Sequence, residues 1–139
     1  IKSIKPKKGR YNQGYMDPRS SSKYISTGEP IIYRSSYEKK FIQWLESSPK
    51  VIRWSSEAIE IPYMFNGSTH RYYPDFYAET SDGKYIFEIK PLSQTKSPKN
   101  DYEAKQYAKN LSKWAAAKAF CEERGLKFRI ITEHTLSKL

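Results

Sequence analysis

Residues 72–91, YYPDFYAETSDGKYIFEIKP, read as two short strands joined by a tight turn. Both strands are mostly aromatic or aliphatic, yet Asp75, Glu88 and Lys90 interrupt them near the open end of the hairpin. With Asp82-Gly83 as a two-residue loop, Ser81 pairs with Lys84, Asp75 faces Lys90 and Tyr77 faces Glu88. Alternation then projects Asp75, Glu88 and Lys90 from one face. The other face carries Phe76, Ala78, Tyr85, Phe87 and Ile89, a core pattern. A surface ion pair between Asp75 and Lys90 would contribute only about 0–1 kcal/mol. Tyr77 and Ile86 share the charged face, however, so the first helix is expected to dock there and enclose the charges in a cleft.

Carboxylates held close together in a cleft repel, and a divalent cation relieves that repulsion. Asp75 and Glu88, with the backbone carbonyl of Ile89, form a hard-oxygen set suited to Mg2+, with Mn2+ as a substitute. Such a centre polarises a phosphoryl oxygen and lowers the pKa of a bound water. Lys90 is available to hold or help deprotonate that water, or to neutralise charge building on the phosphorane. Hydrolysis of a phosphodiester needs this set of parts.

The composition agrees. The 139-residue chain, one domain's worth, carries 25 Lys and Arg against 15 Asp and Glu, a net charge of +10. Its pI near 9.6 favours a polyanionic partner. No apolar run approaches the ~20 residues of a spanning helix, so double-stranded DNA is expected and a membrane is not. Cys121 is the single cysteine, which excludes an intrachain disulfide and a cysteine-based zinc site and suits a reducing cytoplasm.

Residues 1–30 hold seven Lys or Arg against two acids, with glycines and prolines and few large aliphatic residues. They read as a basic N-terminal arm, flexible or drawn out as a strap. Lys5, Lys7, Lys8 and Arg10 are its candidate phosphate contacts. The nuclease-like domain is placed at 31–139. RSSYEKKFIQWLES, residues 34–47, has Tyr37, Phe41, Trp44 and Leu45 at helical spacing, Ser35 or Ser36 as N-cap, and Pro49 as its stop. Ser35 and Glu38 also fit a capping box. VIRWSSEAIEIPY and HRYYPDFYAE read as strands, KYIFEIK as a third, and LKFRIIT as a last one after a helix over 101–124. That helix shows an apolar stripe of Tyr107, Leu111, Trp114 and Cys121 and ends at Gly125. The order α-β-β-β-α-β predicts an α/β sandwich around a central mixed four-stranded sheet flanked by helices, with the last two strands parallel. Lys105, Lys109 and Lys113 recur every four residues off the stripe, either as phosphate contacts or as a solvated face. His70 is a further candidate for touching substrate.

Pro74-Asp75 followed by Glu88-Ile89-Lys90, with helical Glu38 upstream, resembles the P-D…(D/E)-x-K superfamily of restriction-like endonucleases. Over most of the chain, the stretches from Tyr33 to Tyr63, His70 to Glu79 and Phe87 to Pro91 are similar to the head-completion nucleases of large contractile-tailed phages. They are also similar to the endonuclease subunit of heteromeric cut-and-paste transposases. The resemblance implies a restriction-endonuclease-like fold, with Asp75 and Glu88 as metal ligands, Lys90 as the catalytic lysine and Glu38 as a further acidic and metal-site member. The activity it implies is Mg2+-dependent endonucleolytic cleavage of DNA during head completion or DNA-end processing. Portal or neck proteins would be partners, and the protein would act in the host cytoplasm or with the virion. The alternatives are a structural DNA-binding head or neck protein without essential cleavage, a transposase subunit, and a basic RNA-binding module, which would leave the hairpin carboxylates unexplained.

Overall fold

The computed structural model describes residues 13–26 and 28–139. Along the chain run β1 (Gly14–Met16), β2 (Ile31–Tyr33), α1 (Ser36–Ser47), β3 (Val51–Ser56), β4 (Ile61–Phe65), β5 (Ser68–Tyr72), β6 (Phe76–Thr80), β7 (Gly83–Ile89), α2 (Asp101–Arg124), β8 (Lys127–Ile131) and α3 (Glu133–Leu136). The central sheet has the order β3-β6-β7-β8. Its first two pairings are antiparallel and β7–β8 is parallel, as the crossover helix α2 allows. The four-stranded mixed sheet expected from the element order is therefore present.

The hairpin connection differs from the expected one. Thr80 pairs with Gly83 and Phe76 with Phe87, so the turn residues are Ser81 and Asp82. The left-handed backbone falls on Gly83 (φ 128), after the turn, and the Thr80 hydroxyl accepts from Asp82 N at 3.1 Å and donates to Gly83 O at 2.9 Å. The register thus moves by two residues. Asp75 comes opposite Glu88 instead of Lys90, and Tyr77 opposite Ile86. Because the side-chain period is two, the faces are unchanged.

The helix on the charged face is also not the expected one. The core face, Phe76, Ala78, Phe87 and Ile89, receives Phe41, Ile42 and Leu45 of α1. The Phe41 ring lies 5.3 Å from Phe76 and 5.0 Å from Phe87, so α1 follows the aromatic face. The charged face is covered by α2 and the β4–β5 hairpin, where Ile61, Tyr63 and Tyr72 pack with Ile86, Ala117 and Cys121. That hairpin divides what reads as two long strands. Its turn, Asn66-Gly67, has positive φ at both residues (51 and 76), as a type I′ turn requires. The buried stripe of α2 is Asn110, Trp114, Ala117 and Cys121, whereas Leu111 is exposed. Lys113 belongs to this inner face, at the i+3 position from Asn110.

β1 pairs with β2 across the boundary drawn at Ile31. Tyr24 bridges Trp54, Ile25 N donates to Trp54 O at 2.8 Å, and Lys23 Nζ donates to the Leu45 and Ser48 carbonyls at the end of α1. Residues 14–26 thus form a strap on the domain, while Lys5, Lys7, Lys8 and Arg10 lie outside the described residues. Among the described residues no helix is long and apolar enough to cross a membrane. Glu46 Oε2 fastens the strap, accepting from Ser21 Oγ at 2.6 Å and from Trp54 Nε1 at 2.7 Å. Trp54 is fully buried. Glu46→Ala leaves the Trp54 indole N–H unpaired and should cost about 1–3 kcal/mol in denaturant unfolding; an unchanged midpoint would show that this bond contributes no net stability.

Candidate active site

The chain reaches the site through Pro74, which holds Asp75 just outside β6. There the ladder ends, and the Asp75 side chain replaces the missing backbone partner. Its Oδ2 accepts the N–H of Ile89 at 2.7 Å, while Asp75 N approaches Glu88 Oε1 at 3.4 Å. Glu88 projects from β7, whose neighbours are β6 on one side and β8 on the other, and is only 5% exposed. Lys90 Nζ lies 3.8 Å from Glu88 Oε2, and Lys90 N is anchored to Ile131 O at 2.9 Å. Asp75, Glu88 and Lys90 therefore meet at the mouth of the hairpin.

Burial pushes the Asp75 carboxyl well above its ordinary range, and the Glu88 charge adds to the shift; the Ile89 N–H and Lys90 oppose it. Glu88 is raised as well, first by burial, and is held back by Lys90, the Tyr72 hydroxyl, the Asp75 N–H and Lys113. Glu38 stands at the start of α1 with Ser35 as its cap. Glu38 N donates to Ser35 Oγ at 3.1 Å, and the Ser35 hydroxyl lies 3.3 Å from Glu38 Oε2. Its carboxyl is pushed up to about 7, by burial and then by the charge of Asp75. The capping box and the proximity to Asp75 coexist in one residue.

Among the described residues no three His, Cys, Asp or Glu side chains converge closely enough to hold an ion unaided. Glu38 feels the charge of Asp75 without joining such a group. Of the expected hard-oxygen set, the structure brings the Asp75 and Glu88 carboxyls together, with the Ile89 backbone bonded to Asp75 through its N–H. Two opposed carboxyls, both driven toward the neutral form by burial, are a donor set that a hard divalent cation fits.

Several neighbours are not apparent from the motif. Arg34 Nη1 lies 2.8 and 2.7 Å from the two oxygens of Glu57, and its charge is felt by Glu38. Glu57 has a left-handed φ of 51, and its N–H donates to the Asp75 carbonyl at 3.1 Å. This kink diverts the chain from β3 into β4. The Tyr72 hydroxyl is buried beside Glu88 with no partner in hydrogen-bonding geometry. Lys113 Nζ lies 5.6 Å from the Tyr72 ring centroid; burial lowers its pKa and Lys90 lowers it further, while Glu88 raises it. Lys109 is half-buried one turn before Lys113, and Lys105 is exposed. His70 sits apart on β5, stacked on Tyr63 at 5.4 Å with Nε2 3.3 Å from Phe65 O, which is a packing role.

A mixed four-stranded sheet, a helix on each face, and two acids with a lysine at the open end of its central hairpin define a restriction-endonuclease-like nuclease domain. Comparison with known proteins agrees. Residues 48–133 match the model of the TnsA-like endonuclease N-terminal family, and the chain belongs to that family. It is also 39% identical over 137 residues to the head completion nuclease of Enterobacteria phage T4, covering 88% of this chain and 91% of that protein. The endonuclease assignment read from Pro74-Asp75 and Glu88-Ile89-Lys90 is borne out at the level of the family.

The raised carboxyls have a consequence for stability. Glu38 at about 7 in the fold, against 4.5 ordinarily, adds stability that is fully present below about 4.5 and lost as pH rises through 7. Asp75 and Glu88 shift in the same sense. In EDTA the melting temperature should therefore rise between about pH 8 and about pH 5.5, and Glu38→Gln should reduce that rise. Calorimetry across this range showing a steady fall instead would contradict the burial of these acids.

Proposed function

We propose that the protein is a Mg2+-dependent endodeoxyribonuclease that cleaves double-stranded DNA during phage head completion or DNA-end processing in virion assembly, with Mn2+ as a substitute metal. The observation that carries this reading is Asp75 set opposite Glu88, with Lys90 3.8 Å from the Glu88 carboxylate. The likeness to a head completion nuclease over 88% of the chain supports the biological setting. That setting brings with it the host cytoplasm or virion as location and portal or neck proteins as partners.

When bound, the divalent cation supplies Lewis-acid polarisation of the phosphoryl oxygen and a water acidified for attack. The chain supplies the rest. Asp75 and Glu88, with the Ile89 carbonyl, would hold the ion, and the Ile89 N–H restrains the Asp75 carboxylate. Lys90 has a short tether to a strand end and a carboxylate beside it, so its ammonium is oriented where negative charge develops on the phosphate. Glu38, with a carboxyl near neutrality in pKa, is suited to hold or exchange a proton with a water beside Asp75. Lys5, Lys7, Lys8 and Arg10 supply sequence-independent attraction to the phosphate backbone.

Cleavage of linear and supercoiled DNA with Mg2+ is the decisive assay. Asp75→Ala or Glu88→Ala should remove activity with the fold retained, and Lys90→Ala should lower kcat more than DNA affinity. Undiminished cleavage in excess EDTA would defeat the metal assignment. Replacing Lys5, Lys7, Lys8 and Arg10 with Ala should flatten the logarithmic salt dependence of DNA affinity by about 3–4, at roughly 0.9 per lost phosphate contact. An unchanged slope would show that these residues serve another partner.

A further inference from the structure

The row of lysines on α2 reads from the sequence either as phosphate contacts or as a solvated face, and the helix is rotated so that Lys113 lies on its buried side. Asn110, Lys113, Trp114 and Ala117 are at i, i+3, i+4 and i+7, and of these Asn110, Trp114 and Ala117 are buried. The Lys113 ammonium lies over the Tyr72 ring, with Nζ 5.6 Å from the centroid. Tyr72 is 3% exposed, and its hydroxyl has no partner in hydrogen-bonding geometry although it lies beside Glu88. A half-buried ammonium and a buried hydroxyl whose nearest named acid is Glu88 form a polar cluster with no well-formed hydrogen bond of its own. The charges that act on Lys113 are Lys90, Glu88, Lys109 and Asp75, so two ammonium groups share the same two acids.

We propose that Lys113, with the Tyr72 hydroxyl behind it, is a second substrate-contacting cation of the active site, clamping the scissile phosphate together with Lys90. This rests on the nuclease reading above. Its physical basis is charge balance. In the free protein Lys90 and Lys113 both bear on Glu88. When the Asp75 and Glu88 carboxylates are committed to a cation, Lys90 and Lys113 are left as two like charges in a partly buried site, and the single negative charge of a phosphate diester between them offsets part of that excess. The phosphate gains charge density as the bond to the leaving oxygen breaks, so two flanking ammonium groups stabilise the transition state more than the ground state. Lys109 lies one helical turn away, about 6 Å at 1.5 Å per residue. It meets the next phosphate of the same strand and contributes to affinity alone.

The test uses the full chain with duplex DNA and Mg2+. Lys113→Met keeps an unbranched side chain of similar length and removes the charge. Its kcat should fall about 100-fold with KM and melting temperature near wild type. Lys113→Arg should recover part of the loss, Tyr72→Phe should show a smaller one, and Lys118→Met, on the exposed side of α2, should cleave normally. A second readout needs no turnover: in EDTA, the salt slope of DNA affinity should drop by about 0.9 in Lys113→Met. Wild-type kcat in Lys113→Met overturns the proposal, whether or not the slope changes, because Lys113 would then be a peripheral contact at most. Equal losses in the Met and Arg variants with a lowered melting temperature also overturn it, since they mark a purely structural lysine. If wild type and Asp75→Ala are equally inactive, it is the nuclease reading that fails. In that case the slope alone decides whether Lys113 contacts phosphate: a drop upholds the contact and an unchanged slope removes it.

Discussion

The hydrogen bond from Ile89 N to the Asp75 carboxylate, 2.7 Å long, is the constraint on which the site depends. Backbone pairing between β6 and β7 ends at Phe76 and Phe87. Beyond it, a side chain takes over as acceptor, so Asp75 is fixed by the sheet without belonging to it. The same contact places Asp75 opposite Glu88, whose strand is paired on both sides. Two carboxyls are thereby forced together in a buried place, an arrangement that an unconstrained loop would relax. The apolar packing on both faces of the sheet offsets this unfavourable pairing, and it explains why the site lies on the hairpin and not on a flexible connection.

Three elements bring cations to these acids. Arg34 comes from just before α1, Lys90 from just after β7, and Lys113 from the inner side of α2. Arg34 is already committed to Glu57, whose left-handed backbone is the strained point of the fold. The strain has a visible role: it turns the chain out of the sheet so that β4 and β5 can cover the charged face, and it leaves Glu57 N bonded to the Asp75 carbonyl. Asp75 is thus held through its backbone by one side of the domain and through its carboxylate by the other.

Much of this was legible in the sequence because the decisive pattern has a period of two. A hairpin register displaced by two residues keeps Asp75, Glu88 and Lys90 on one face, so the inference survived an incorrect turn. What the pattern could not show is which layer covers that face. Phe41, Phe76 and Phe87 draw α1 to the opposite side, a choice made by tertiary packing of aromatic rings. The Asn66-Gly67 turn lies between two β-prone runs and is a hairpin signal that the expected element order omits, because the Ile59–Ile61 continuity obscures the break at Glu57. The rotation of α2 was hidden for a different reason. Trp114 and Cys121 are on the expected stripe, but the rest of its buried side is Asn110 and Ala117, polar or small residues with little apolar signal, while Leu111 advertises a face that is exposed.

The same rotation links the core to the chemistry. Tyr72 belongs to the apolar cluster with Ile61, Ile86, Ala117 and Cys121, yet its hydroxyl end lies beside Glu88. Large side chains in place of Ala117 would push α2 outward, and Lys113, one turn before it, would move with the helix. The site is therefore sensitive to packing on the α2 side through a path that does not pass through the catalytic motif. Packing on the α1 side acts differently. Phe76 and Phe87 are the sequence neighbours of Asp75 and Glu88, so a cavity there shifts both acids together and preserves their mutual geometry. Damage to the α1 layer should therefore appear mainly as lost stability, whereas damage to the α2 layer separates the acids from the lysine that faces them.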